Sequence, residues 1–541
     1  MSRTKDISLH VVPRKKRGRL RWTVLIAVQI LILLHVGLWL LSKHFGWFGG
    51  ATITPIEPSE GMEFVKHGVV NAGAIFFALA LIATLVFGRW FCGWGCHIVF
   101  LQDWCYALLR KIGIRPKPFR ARLLGYVPLG LGLYMFVWPL FYRIALAPWL
   151  QPNLSWPSIT THLTTTDYWD SFASPIVALP FLLICGFATV YTLGAKGFCT
   201  YGCPYGGFFA PLDRISPMRV RVNDSCEQCG KCTAACTSNV RVHEEVHLHS
   251  MVVDSGCMKT MDCIDACPNN ALSVGFCGTS TGKRTKRSGK KYDLKLSGEF
   301  LVATTFLVGF FSFRGLYASV PMLMAVGMSL VCVWILWKGV QILRTEHVHL
   351  HQYQLAYHGS VTRAGKLMLV VSLFVALFIL QSACVQLFTV VGNNAGKHGD
   401  LDKAYTYYKL SGPMTDGGIG FSSNPNVDLA MSKILEAKNE YKEAEFVLRR
   451  LNAFVGEEET ARMVLGQNLQ LHRNDETVES FYMNELGKNP NWTFVWEDYI
   501  AWLRRKGRHE QAVGASSRAN TLNPNAPRLQ IQWQLLHQQV Q

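Results

Sequence analysis

Apolar runs separated by short basic stretches fill the chain from Trp22 to Val391, and a mixed helical pattern follows. The first run, Trp22 to Leu41, holds about 20 residues, enough to cross a bilayer. Further runs cover Val69 to Phe87, Leu123 to Tyr142 and Ile176 to Leu193. A polar stretch, Gly206 to Ser297, interrupts the series. A fifth run begins near Phe300 and turns between Arg314 and Pro321, and a sixth covers Met322 to Trp337. These two read as a shallow hairpin, because Arg314 lies deep between them. A seventh covers Leu367 to Val391.

Beyond Gly392 the pattern is that of paired amphipathic helices. Ala444, Val478 and Ala512 are spaced by 34 residues, as are Pro490 and Pro524, each inside Asn-Pro-Asn. A third Asn-Pro-Asn stands at 424–426. Thirty-four is the tetratricopeptide (TPR) period, with two helices per unit and a small residue where they cross. Asp428 to Leu451 is the clearest unit. Such stacks form concave surfaces that bind peptides or partner proteins. This region holds no cysteine and no visible catalytic constellation.

Charge sets the orientation. The net charge is +18, yet residues 392–541 carry 17 Lys/Arg against 18 Asp/Glu. The excess therefore lies among the spans, where basic loops mark the cytoplasmic side. Nucleic acid is the weaker partner, because the basic residues flank apolar runs. Arg14, Lys15, Lys16, Arg17, Arg19 and Arg21 precede the first span. A cleaved signal peptide would have a shorter apolar core and a small-residue cleavage site, which Phe45 to Gly50 lacks. Basic residues at 110–122 and 283–291 also belong inside. The loop with Trp149 and Trp156 has only Arg143 and belongs outside. Seven crossings from an inside N-terminus place residues 392–541 outside.

The candidate chemistry lies in cysteines. Cys226-x2-Cys229-x2-Cys232-x3-Cys236 precedes Cys257-x5-Cys263-x3-Cys267-Pro268. The first half is the bacterial ferredoxin run, whose fourth cysteine ligates the other cluster. Cys226, Cys229, Cys232 and Cys267 are thus expected to hold one [4Fe–4S] cluster, and Cys236, Cys257 and Cys263 a second. Zinc also accepts Cys-x2-Cys pairs but does not need the x2-x2-x3 run and its crossed partner. Thr260 occupies the missing ligand slot, and its hydroxyl is a poor substitute for a thiolate. The second cluster is then [3Fe–4S], or [4Fe–4S] with another ligand on one iron, or absent.

A second cysteine pattern follows the second and fourth spans. Phe91-Cys92-Gly93-Trp94-Gly95-Cys96 is echoed by Phe198-Cys199-Thr200-Tyr201-Gly202-Cys203. In a helical backbone each Cys-x3-Cys pair shares one side. Cys92, Cys96, Cys199 and Cys203 then form a metal or cluster site, or two redox-active dithiols, or serve as structural residues at helix ends. A resting disulfide is disfavoured on the reducing side. Cys105, Cys185, Cys277, Cys332 and Cys384 lack ligand spacing and read as core. His35 reads as a packed polar residue rather than a haem ligand. His347, His349 and His351 alternate as if on one face of a strand, where they are either a metal site or, the preferred reading, an interfacial loop.

Two Phe-Cys-x3-Cys elements at the inner ends of spans, followed by a two-cluster cysteine module, resemble the NapH/NosR/CcoG (FixG, RdxA) polyferredoxin family. The resemblance covers roughly residues 20–280. It implies membrane electron transfer: quinol-linked supply to periplasmic reductases, or copper reduction for oxidase assembly. Cys92, Cys96, Cys199 and Cys203 match the family's Cys-x3-Cys-Pro pairs, with His97 in place of the first proline. The TPR-like tail replaces the tails of the NosR and CcoG branches.

The expected fold is a multi-pass α-helical membrane protein with an inserted two-cluster ferredoxin (α+β) module and an all-α TPR-like solenoid. Its expected parts are a basic cytoplasmic N-terminus (1–21), a four-helix membrane domain (22–205) and the ferredoxin module (206–297). Further membrane helices (298–391) and the repeat domain (392–541) follow. The expected role is iron–sulfur electron transfer in a bacterial inner membrane, linked to quinone, with a redox partner held by a periplasmic repeat domain. No catalytic residue is expected, and an electron-transfer component fits better than a stand-alone enzyme. A copper or iron reductase or assembly factor, and an adaptor with structural clusters, are the alternatives.

Overall fold

The computed structural model describes residues 16–540, except 152–153, 155, 167, 169–174, 277–291, 352, 457 and 525. Arg14, Lys15, Cys277 and the basic stretch 283–291 lie outside the described residues. Two compact units divide the chain. The first comprises residues up to Phe310 together with Pro321–Ala376, and the second Phe311–Val320 with Leu377–Gln541.

Among the described residues, five helices are long and apolar enough to cross a membrane: Arg17–Phe45, Leu124–Leu150, Leu296–Phe313, Met322–Arg344 and Arg363–Lys397. They fit an integral membrane protein. Two expected spans are shorter, Ala72–Phe87 and Val177–Leu193. The first starts late because the Asn71 side chain accepts from the Ala74 amide and caps the helix. The second contains Pro180 and a π turn at Leu183–Ala188. Leu124–Leu150 likewise widens into π turns at Leu133–Val137 and Tyr142–Leu146, just before Pro139 and Pro148. A proline removes one amide donor, and the wider turn accommodates the loss. Arg314 falls just beyond the end of Leu296–Phe313, in the turn before Met322–Arg344.

Three of the histidines do not form a row. Val348–Leu350 pairs with Tyr353–Tyr357 as a short antiparallel strand. His347 packs on Tyr357 and His358, while His351 leaves the strand in a left-handed conformation (φ 52°) and packs on Tyr191. His35 bonds Thr52 at 2.9 Å and packs on Tyr168.

The cysteine module rests on two antiparallel strands, Met218–Val222 and Leu272–Phe276, paired from Met218↔Phe276 to Val222↔Leu272. Val220, Val240, Val246, Val252, Ile264 and Leu272 form its buried core. In the second unit, helices from Pro425–Ala437 to Pro527–Val540 follow one another with short connections. Ala444, Val478 and Ala512 are all fully buried, so the residues at 34-residue spacing are interior positions. The Pro490 carbonyl accepts from Trp496 Nε1 (2.9 Å) and Asn523 Nδ2 (3.1 Å), which ties one Asn-Pro-Asn loop to the next.

Candidate functional site

The two halves of the module repeat at 31 residues. Gln228 and Lys259, Gly230 and Met261, and Asn239 and Asn270 form three pairs at that spacing, and all six have positive φ. Short helices Lys231–Ala235 and Asp262–Asp265 follow the equivalent loops. Left-handed φ is costly for Gln228, Lys259 and Met261, so each loop is held by its surroundings. Thr260 therefore stands on the same backbone that presents Cys229.

Cys226, Cys229, Cys232 and Cys267 line one cavity, together with His243 and Leu272. Cys229 is exposed, and Cys267 also accepts from the Ala271 amide at 3.2 Å. Cys236, Cys257 and Cys263 are electrostatic neighbours within the same core. Thr260 is buried beside them, 3.5 Å from the Thr237 hydroxyl, which donates to Asp262 at 2.6 Å. Among the described residues no three His, Cys, Asp or Glu side chains meet as one bare ion requires. A cubane spreads its ligands over separate corners and does not ask for that convergence. The cavity and its four-thiol donor set fit an iron–sulfur cluster.

The Cys257–Thr260 loop also touches the other cysteine motifs. Met258 packs with Cys92, Cys96 and Cys199. The Lys259 carbonyl accepts from Trp94 Nε1 at 2.9 Å. Gly93 has no room for a side chain, because a Cβ would overlap the Met258 carbonyl oxygen. The two motifs share one local build. Trp90–Trp94 and Gly197–Tyr201 are single helical turns. Cys96 and Cys203 then cap the helices His97–Lys111 and Pro204–Ile215 in extended conformation. Burial pushes the Cys96 thiol up to about 12 and the Cys203 thiol to about 11. Free thiols here stay protonated near neutral pH, which disfavours thiolate chemistry without a metal.

Buried ion pairs join these motifs. Lys196 and Arg21 both bind Asp103, and Arg21 also donates to the Gly93 carbonyl at 2.7 Å. Asp213 accepts from Lys259 (2.7 Å), Arg219 (3.0 Å) and the Arg89 amide (3.0 Å). The residues read from sequence omitted these charges. A signal was present: Arg89-x2-Cys92 and Lys196-x2-Cys199 repeat a cation three residues before each motif. The Gly18 amide also donates to Asp265, between Cys263 and Cys267, at 2.7 Å. Cys105 and Cys185 are buried as core, while Cys332 and Cys384 are half-buried.

A family model described as a 4Fe–4S binding domain matches residues 71–115 and 176–223, and a 4Fe–4S dicluster domain matches residues 218–268. The chain is 28% identical over 212 residues to the methylamine utilization ferredoxin-type protein MauN of Methylobacillus flagellatus, covering 38% of this chain and 66% of that protein. It is 25% identical over 281 residues to the putative electron transport protein YccM of Escherichia coli, covering 48% and 73%. It is 23% identical over 249 residues to the ferredoxin-type protein NapH of Haemophilus influenzae, covering 43% and 79%. The match thus spans just under two thirds of the first relative and more of the other two.

Proposed function

We propose that this chain, a NapH-like polyferredoxin by its 4Fe–4S domains and relatives, carries electrons between the exposed face of its cysteine module and the membrane-end thiols. One observation carries the reading: the Cys257–Thr260 loop leads from a predicted ligand directly onto the second set of cysteines, with Met258 among them. In this reading Cys226, Cys229, Cys232 and Cys267 hold a [4Fe–4S] cluster, and Cys236, Cys257 and Cys263 a second, [4Fe–4S] or [3Fe–4S]. Clusters bound there supply reversible one-electron carriage. The chain's own residues do the rest. The Cys229 loop, with Glu227 and Lys231, is open to solvent and admits a redox partner. The Val220, Val246 and Ile264 core excludes water from the inner thiols. Lys259, through Asp213, fixes the inner loop.

Quinone is the proposed membrane carrier, because sites at one face do not alone bridge ~30 Å of hydrocarbon. The tail is proposed as a TPR-like solenoid on the periplasmic side that recruits an acceptor, with the cysteine module cytoplasmic. The buried residues at 34-residue spacing support the solenoid. The test is anaerobic reduction of the full chain in proteoliposomes by a soluble quinol, followed by low-temperature EPR. Reduced cluster signals are expected, and protease added to spheroplasts should remove the tail alone. Clusters that no quinol or dithionite reduces would overturn the carrier reading and favour the adaptor. Stoichiometric copper on Cys92, Cys96, Cys199 and Cys203 would favour the metal-reductase reading.

A further inference from the structure

The helices Glu459–His472, Thr493–Arg505 and Pro527–Val540 line one groove of about 480 Å³ in the second unit. They are alternate helices of the tail, with Asp475–Lys488 and His509–Leu522 between them in sequence. Thr493–Arg505 carries apolar residues on two faces. Trp496, Ile500 and Leu503 are buried in the core, which is all that packing asks of an amphipathic helix. Phe494 and Ala501, seven residues apart, line the groove instead. Met463, Ile531 and Leu535 join them there from the other two helices, and Phe494, Ile531 and Leu535 are 42%, 57% and 52% exposed. Single exposed apolar residues need no explanation, but a patch that converges from three helices marks a contact surface.

The polar groups of the groove are unevenly paired. Asp498 accepts from Tyr482, from Gln467 at 3.3 Å and from Gln470 at 3.3 Å, all of them neutral donors. Glu459 accepts from the Phe494 and Val495 amides at the start of the central helix. Glu497 lines the groove half-buried, with no hydrogen-bond or salt-bridge partner among the described residues. Arg528 is its electrostatic neighbour, but the guanidinium lies over the Phe494 ring, 5.9 Å from its centroid, and forms no salt bridge with Glu497. Gln532 Oε1 is buried in the same groove and also has no partner. The groove thus holds two unpaired acceptors and more carboxylates than cations. Acceptors withdrawn from water and left unmade are costly. A positively charged donor flanked by apolar groups answers both halves of this surface.

We infer that this groove receives a segment of a partner protein in which a lysine or arginine stands between apolar residues, its cation on Glu497 and its apolar neighbours on Phe494, Ile531 and Leu535. Lysine and arginine side chains offer only donors, which matches the unpaired acceptors. An acidic segment would meet Glu497 and Asp498 with like charge. A purely apolar segment would bury Glu497 without a counter-charge. The inference names the chemistry of the tail's partner and rests on the proposal that the tail recruits one.

The test is selection of random short peptides, displayed on phage, against the full-length protein in nanodiscs, followed by affinity measurement on the selected sequences by fluorescence polarisation. Selected peptides should carry a lysine or arginine flanked by apolar residues and should bind less tightly as salt rises. Glu497→Gln keeps the shape and removes the charge, and should weaken them about tenfold or more. Leu535→Ser should weaken them through the lost apolar contact. Glu443→Gln changes an exposed carboxylate that does not line the groove, and should leave binding as it is. Selected peptides that are acidic or lack a cation, binding that Glu497→Gln and Leu535→Ser leave unchanged, or the selection of no peptide at all overturns the inference. So does a dimer of the full chain that Glu497→Gln dissociates, since the occupant would then be a second copy. The recruiting proposal fails separately: a tail protected from protease in spheroplasts does not reach a periplasmic acceptor, whatever the groove binds.

Discussion

Residues 226–239 and 257–270 trace the same backbone in two different environments. The first loop presents Cys229 to solvent on left-handed Gln228 and Gly230. The second presents Thr260 to the interior on left-handed Lys259 and Met261. Only the second is fastened to the membrane-end motifs, by Lys259 to Asp213 and by Trp94 to the Lys259 carbonyl. A conformation that presents a cysteine to solvent in one half therefore serves docking in the other. The departure from the cysteine pattern falls on the docked loop, where the position equivalent to Cys229 faces protein rather than solvent.

The largest effect should come from removing the docked loop's anchor. Asp213→Ala leaves Lys259 and Arg219 buried without their carboxylate, at a cost of about 3–5 kcal/mol. Asp224→Ala beside the exposed loop should stay within about 0.5 kcal/mol. Thermal unfolding of the detergent-solubilised protein, followed by loss of cluster absorbance, compares the two. Equal effects would erase the contrast between the loops.

Gly93→Ala comes next. Its methyl would overlap the Met258 carbonyl, so backbone must move, at about 1–3 kcal/mol. Gly230→Ala meets open space and pays only for its left-handed φ, about 1 kcal/mol. Hydrogen exchange should show Gly93→Ala loosening residues 257–261 and Gly230→Ala leaving them protected. The smallest effect is expected for Thr237→Val, which removes the bond to Asp262 beside Thr260. A loss of about 1 kcal/mol is the ordinary value for one hydrogen bond. The same thermal melts measure it, and a loss above about 3 kcal/mol would mean that Thr237 does more than steady the loop.

Much of this contrast was legible in the sequence, because ligand spacing is a local property. The crossed set Cys226, Cys229, Cys232 and Cys267 lines one cavity as its spacing requires. The 34-residue positions Ala444, Val478 and Ala512 are interior, as helix crossings demand. The docking was not legible, since Arg89 and Asp213 are 124 residues apart and Lys196 and Asp103 are 93 apart. Local patterns say nothing about which buried cation finds which carboxylate. The histidine row breaks for a local reason: His351 adopts a left-handed φ that ends the strand. The late start of Ala72–Phe87 was readable after all, because Asn71 is a standard capping residue.

EPR and iron quantitation on the protein before and after Thr260→Cys test the central contrast most directly. The native protein should show one conventional [4Fe–4S] signal from the exposed half and an atypical second one, with a [3Fe–4S] signal in the oxidised state that vanishes in Thr260→Cys. Two identical all-cysteine-type clusters in the native module, unchanged by the substitution, would contradict the account.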